Sequence, residues 1–122
     1  MQSHHKSIMA SMQNNLQTSF CGMSLSSPII LLSGCVGFGE EYTRIKGFSN
    51  SDIGAVCLKG TTLEQRLGNK LHRLAETPNG MLNSIGLQNP GTKTVIEEIM
   101  PGLDKNETKY IINISGSSVE EY

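Results

Sequence analysis

Hydrophobic and polar positions along the chain fall into short blocks. Leu16, Thr18 and Phe20 alternate with polar neighbours, Cys21-Gly22 can turn, and Met23 and Leu25 resume the alternation, which predicts a small hairpin. Residues 28–33, Pro-Ile-Ile-Leu-Leu-Ser, form an apolar run without alternation, the pattern of a strand buried on both faces in a parallel sheet. Residues 40–48 predict a short helix with Tyr42 and Ile45 on one face, and Ser49-Asn50-Ser51-Asp52 supplies loop or cap residues. A second buried strand is expected over 53–58, ending on Lys59, and a third over Tyr110-Ile111-Ile112-Asn113-Ile114. Between them, residues 60–90 are polar, with turn signals at Pro78-Asn79-Gly80 and Asn89-Pro90-Gly91 and little helical period. A loop of that length inside a compact domain is usually functional. Thr94-Val95-Ile96-Glu97 has capping-box spacing, and Val95, Ile96, Ile99 and Met100 offer an apolar helix face that Pro101-Gly102 should stop.

Strands alternating with helices argue for right-handed βαβ units and a parallel sheet, hence an α/β fold. Ser117-Ser118-Val119-Glu120 has the form that opens a helix, and Tyr122 follows within its first turn, so the expectation is an interrupted domain. Residues 1–15 are polar and expected to be a disordered leader, with the folded part over 16–122.

Composition narrows the function classes. With 122 residues, 37% hydrophobic and 17% charged, the chain is in the range of one globular domain. A formal net charge of -1 provides no basic face, so neither nucleic acid nor an acidic membrane is an expected partner. No apolar run reaches the roughly 18 residues of a membrane span, and the N-terminus lacks the hydrophobic region of a secretory signal, which leaves a cytoplasmic location as the default. Cys21, Cys35 and Cys57 show no metal or redox spacing and read as free thiols. His4 and His5 have no further ligands nearby, so no metal is expected.

Four places could carry chemistry. Ser33-Gly34-Cys35-Val36-Gly37-Phe38-Gly39 follows a strand, and its glycines would let backbone approach a phosphate or flat ring, although taken alone they are better explained by a tight strand-to-helix turn. Lys59, at the C-terminal end of an apolar strand, stands at the face where parallel α/β folds collect ligands; it could stabilise an anionic flavin or a carboxylate, or simply reach water. Asn83, Ser84, Ile85, Gly86 and Leu87 combine an amide, a close-approach glycine and apolar side chains, as would suit a polar heterocycle or an ordinary structured loop. Asn113 interrupts an apolar strand, and a buried amide needs a hydrogen-bonding partner, whether ligand or backbone.

These segments occur in a particular order: the Ser33 to Tyr42 stretch, Lys59-Gly60-Thr61-Thr62 with Arg66 and Gly68-Asn69, Glu76-Thr77-Pro78-Asn79-Gly80-Met81-Leu82-Asn83-Ser84-Ile85-Gly86-Leu87-Gln88-Asn89-Pro90-Gly91, and Ile112-Asn113-Ile114-Ser115-Gly116. In that register the chain, from about Leu16 to Tyr122, resembles the N-terminal part of class 1 dihydroorotate dehydrogenases, and is more similar to the NAD-linked class 1B branch than to the fumarate-linked class 1A branch. The resemblance implies an N-terminal hairpin followed by the first three βα units of a TIM (β/α)8 barrel, incomplete in this chain. It implies FMN contacts at Ser33, Gly34, Lys59, Gly60 and Asn113, and contacts to the pyrimidine and its carboxylate at Lys59, Asn83, Ser84, Ile85, Gly86 and Leu87.

The implied reaction oxidises (S)-dihydroorotate to orotate in pyrimidine (UMP) biosynthesis. A base takes the C5 proton as C6 delivers hydride to FMN. In the family that base resembles a cysteine beyond the third strand, which Cys21, Cys35 and Cys57 do not match, so no catalytic residue is expected before Tyr122. The resemblance also implies an iron-sulfur partner subunit carrying FAD and [2Fe-2S], around a homodimer core in a heterotetramer. Lys70 and His72 stand before Arg73 where the family usually has two prolines. The alternatives are a flavin dihydropyrimidine dehydrogenase acting on uracil or thymine, disfavoured by the 83–87 block, and a non-catalytic fragment that keeps the motifs without binding flavin.

Overall fold

A computed structural model describes residues 16–122; the polar leader, including His4 and His5, lies outside the described residues. The Cα packing forms two compact units. The first holds residues up to Leu58 together with Asp104–Ile112, and the second holds Lys59–Leu103 and Asn113–Tyr122.

The first unit opens with the expected hairpin. Strands β1 (Thr18–Phe20) and β2 (Met23–Leu25) pair antiparallel around Cys21 and Gly22, both of which adopt positive φ. Strands β3 (Ile30–Leu31), β4 (Ala55–Cys57) and β7 (Lys109–Ile111) form a parallel sheet in the order β3-β4-β7, with Ile30 opposite Ala55 and Val56 opposite Tyr110. The centre of this sheet is the core. Ala55, Val56 and Leu58 are buried, as are Ile53, Leu25 and Val36. Burying a Val or Leu side chain contributes about 1.5–3 kcal/mol, so the β4 segment is where this unit gains most.

Two expectations for this unit need correction. The run at 28–33 is not a strand buried on both faces: β3 has two residues, pairs on one side only, and leaves Ile29 and Leu32 exposed. A continuous apolar run requires cover on both faces to stay regular, and within this unit the cover lies at β4. Nor do residues 40–48 form a helix. A single 3-10 turn, Tyr42–Arg44, occupies the segment, Ile45 is exposed, and Tyr42 packs on Phe48 with ring centroids 5.9 Å apart. Glycines flank it at 37, 39 and 47, all with positive φ, and these cannot propagate a helix. At Gly39 the reason is steric as well, because a Cβ would stand 3.2 Å from the Tyr110 ring.

The cap reading at residues 49–52 is observed: Ser49 and Asp52 close a capping box over the turn Asn50–Asp52. The buried Asn50 amide donates to the Gly39 carbonyl (2.9 Å) and lies 3.4 Å from the Tyr110 hydroxyl.

In the second unit, the polar stretch 60–90 is more ordered than its composition predicts. Strands β5 (Leu74–Thr77) and β6 (Gly80–Asn83) form an antiparallel hairpin around the expected Pro78-Asn79 turn. All of its residues are exposed. Each face mixes apolar with polar side chains, Leu74 with Glu76 and Ala75 with Thr77, so no hydrophobic alternation advertises the strands.

The helix expected from Thr94 begins earlier. Helix α1 (Thr92–Thr94) runs into a π-type turn (Val95–Ile99) and a 3-10 turn (Met100–Gly102). Thr94 is already helical and caps nothing with its side chain; the start is set by Gly91 at φ 87 and by Thr92, whose N–H and hydroxyl both donate to the Thr62 carbonyl at 3.0 Å. Val95 is buried as expected, whereas Ile96 is exposed.

The third strand is shorter than its apolar run, with β7 ending at Ile111 and only a parallel bridge between Thr61 and Ile114 beyond it. The Ser117 to Glu120 signature yields a 3-10 turn, Val119–Glu121, one residue later than the spacing suggests and without a side-chain cap. Arg66 steadies it through a hydrogen bond to Ser117 Oγ and a half-exposed ion pair with Glu121 at 3.9 Å, a pair worth at most about 1 kcal/mol.

Candidate active site

The first unit contributes the strand-end loop. Ser33 is half-buried, and Gly34 is exposed at φ 86 with open space where a Cβ would stand. The Cys35 N–H donates to the Leu32 carbonyl at 3.2 Å and the Gly39 N–H to the Val36 carbonyl at 2.8 Å, so the loop runs as two tight turns.

In the second unit, Lys59, Gly60 and Asn113 come together. The Thr61 N–H donates to the Asn113 carbonyl and the Ser115 N–H to the Thr61 carbonyl, both at 2.9 Å, which laces residues 60–61 alongside 113–115. Gly60 is buried, and a Cβ on it would lie 3.4 Å from the Asn113 side-chain Nδ2. Lys59 is half-buried, and its carbonyl accepts the Thr61 hydroxyl at 3.0 Å. The backbone of Gly60 and the Asn113 amide thus lie side by side, with Lys59 next to Gly60 in the chain.

The 83–87 loop lies in the same unit and is braced from behind. Asn69 Nδ2 donates to Ser84 Oγ (2.7 Å) and to the Ser84 carbonyl (3.2 Å), and the Asn69 N–H donates to the Ile85 carbonyl (2.9 Å). The Ser84 N–H donates to the Arg73 carbonyl at 2.8 Å, while the Arg73 guanidinium donates to the carbonyls of Asn69 (2.5 Å) and Leu67 (2.9 Å) and to Gln88 Oε1 (2.5 Å). Gly86 is required here: its φ is 77, and a Cβ would come within 2.6 Å of Asn69 Oδ1.

The buried Asn89 ties the Leu87 end of the loop to Thr62 and Gly91. Its Oδ1 accepts from the N–H groups of Thr62 (3.2 Å) and Gly91 (2.9 Å), and its Nδ2 donates to Thr62 Oγ1 (3.0 Å) and the Leu87 carbonyl (2.7 Å). Leu87 sits at φ 53, a left-handed conformation that a bulky residue keeps only when its surroundings enforce it.

Comparison with known proteins bears on what these loops are for. A family model described as dihydroorotate dehydrogenase matches residues 15–122. Catalytic subunits of dihydroorotate dehydrogenase B (NAD(+)) from Bacillus caldolyticus and from Geobacillus kaustophilus (strain HTA426) are each 51% identical to the chain over 109 residues, covering 89% of this chain and 34% of theirs. The chain belongs to the dihydroorotate dehydrogenase family. The corresponding subunit from Bacillus cereus (strain AH187) is 46% identical over the same length. The chain spans about a third of the length of the curated relatives it matches.

The residues singled out from sequence fall into three groups: Ser33 and Gly34 in the first unit, and in the second Lys59, Gly60 and Asn113 and the 83–87 loop. Sequence reasoning undervalued Thr62, Asn69, Arg73 and Asn89, which hold the loop. Asn89 did stand in a turn signal, Asn-Pro-Gly, but that signal conveys only a bend. Its burial at 4% exposure with every amide atom bonded is a tertiary fact. Cys21 and Cys35 are exposed and Cys57 is half-buried, all as free thiols. Among the described residues no cluster of three or more His, Cys, Asp or Glu could hold a metal, and no helix is long and apolar enough to cross a membrane.

Proposed function

We propose that this chain supplies the first part of an FMN-dependent catalytic subunit that oxidises (S)-dihydroorotate to orotate in pyrimidine biosynthesis. The observation that carries the reading is the match over 89% of the chain, at 51% identity, to subunits named for that reaction. The braced 83–87 loop supports it by offering a preorganised polar surface, and Gly60 beside the Asn113 amide by allowing close approach of backbone. On this reading β3, β4 and β7 are the first three strands of a β/α barrel, whose ligands gather at the C-terminal strand ends.

In this assignment Ser33, Gly34, Gly60 and Asn113 hold FMN, and Lys59 serves both FMN and substrate. When bound, FMN supplies the hydride acceptor. The chain's own part is binding and orientation. Lys59 places positive charge beside the substrate carboxylate or the anionic ring. Asn83 matches the pyrimidine's donor and acceptor pattern with its amide, and Ser84, Ile85, Gly86 and Leu87 present backbone and apolar surface that excludes water from the reacting carbons. The C5 base is assigned to none of Cys21, Cys35 and Cys57.

The names of the relatives, catalytic subunits of a B-type enzyme linked to NAD(+), support a separate electron-transfer subunit. The proposal adds FAD and [2Fe-2S] on that partner, a homodimer core in a heterotetramer, and a cytoplasmic location. The test is to co-purify the full-length catalytic subunit with its electron-transfer partner and to follow orotate formation and NAD reduction together. Stoichiometric production of both is expected. Turnover with uracil or thymine in place of dihydroorotate would reassign the substrate. Efficient fumarate reduction by the catalytic subunit alone would overturn the NAD-linked branch.

A further inference from the structure

We propose that Asn69 is a positioning residue for the substrate loop, setting the affinity for dihydroorotate through Ser84 and Ile85 without touching the ligand; the proposal rests on the functional reading above. The loop it serves is intrinsically costly to order. Asn83, Ser84, Gly86 and Leu87 are exposed, and fixing the backbone of a residue costs about 1–2 kcal/mol, so a loop that must close on a small polar ligand loses affinity unless it is ordered beforehand.

Asn69 does this at three points. Its N–H donates to the Ile85 carbonyl, and its side-chain amide donates to both the carbonyl and the hydroxyl of Ser84. The amide NH2 has two donors, and both are directed at Ser84, which leaves it no donor for a ligand. The fit is reciprocal, because Gly86 leaves free the space that the Asn69 amide fills. Asn69 is in turn held by Arg73, whose Nε donates to its carbonyl at 2.5 Å. A short exposed side chain carrying this many directed bonds to one loop, and none to the core, acts on the loop's conformation.

The test uses the full-length, FMN-loaded catalytic subunit. In wild type, orotate should perturb the flavin spectrum with a measurable Kd. Asn69→Ala should raise that Kd and the KM for dihydroorotate about tenfold with kcat little changed, the pattern of lost uniform binding, while flavin content and Tm stay at wild-type values. Asn69→Asp, which puts an oxygen against the Ser84 carbonyl, should do at least as much. Amide exchange at Ser84, whose N–H donates to the Arg73 carbonyl, should speed up in both variants without ligand. If wild type neither binds orotate nor oxidises dihydroorotate, the functional reading fails and the proposal with it. If wild type does both while the variants keep its KM and exchange rates, or lose Tm and flavin together, the reading survives and the positioning role is overturned.

Discussion

Replacing Asn89 with alanine should be the most damaging single change in the loop scaffold. The side chain is 4% exposed, and beside it Thr62 is 2% exposed. Its Oδ1 is the acceptor for two N–H groups, those of Thr62 and Gly91, and its Nδ2 serves the Leu87 carbonyl and the Thr62 hydroxyl. Leaving a buried donor without its acceptor costs about 1–3 kcal/mol. Two such donors are affected, and water entering the space left by the amide offsets part of the loss, so the expected destabilisation is about 2–4 kcal/mol. Asn89→Asp retains both acceptor bonds but turns a buried carboxylate oxygen toward the Leu87 carbonyl, now 2.7 Å from Nδ2, and should destabilise by an amount comparable to alanine. Urea denaturation of the full-length protein, followed by circular dichroism, measures the difference, with the slope unchanged if only the native state is affected. A loss below about 0.5 kcal/mol, the range of an ordinary surface substitution, would refute the view that Asn89 ties the Leu87 end of the loop to Thr62 and Gly91.

Lys59→Ala should lower kcat/KM for dihydroorotate about a hundredfold or more, as expected when a charge aimed at reacting groups is removed, while changing stability by no more than about 0.5 kcal/mol; unchanged turnover with a lowered melting point would make Lys59 a structural residue. At alkaline pH the first unit should weaken through Tyr110. Burial foremost pushes its phenol above the ordinary 10.0, with the carboxylates of Glu107, Asp104 and Glu40 acting in the same direction against the opposing Asn50 hydrogen bond. The folded state therefore favours the neutral phenol, so the contribution is full below the unfolded value and is lost as pH rises through the higher folded value. Urea midpoints measured upward from about pH 9 should fall in wild type and fall less in Tyr110→Phe; parallel curves would contradict the assignment.

The amino-acid order alone determined the hairpin at residues 18–25, the buried β4 segment, the Ser49 and Asp52 cap and the family motifs. Each of these is local: alternation, an apolar run, a cluster of capping residue types and short blocks in register can all be read without knowing what lies across the fold. Tertiary structure decided the rest. The run at 28–33 shortened to β3 because regularity depends on cover from both faces, which no linear pattern specifies. The β5–β6 hairpin formed with every residue exposed, so it left no periodic trace. The helix began at Thr92 because Thr62, thirty residues earlier, accepts its first hydrogen bonds. The roles of Asn69 and Asn89 were hidden for the same reason: an asparagine in a loop carries the same four hydrogen-bonding positions wherever it stands, and only the folded chain determines whether they meet Ser84, Thr62 and Leu87 or water.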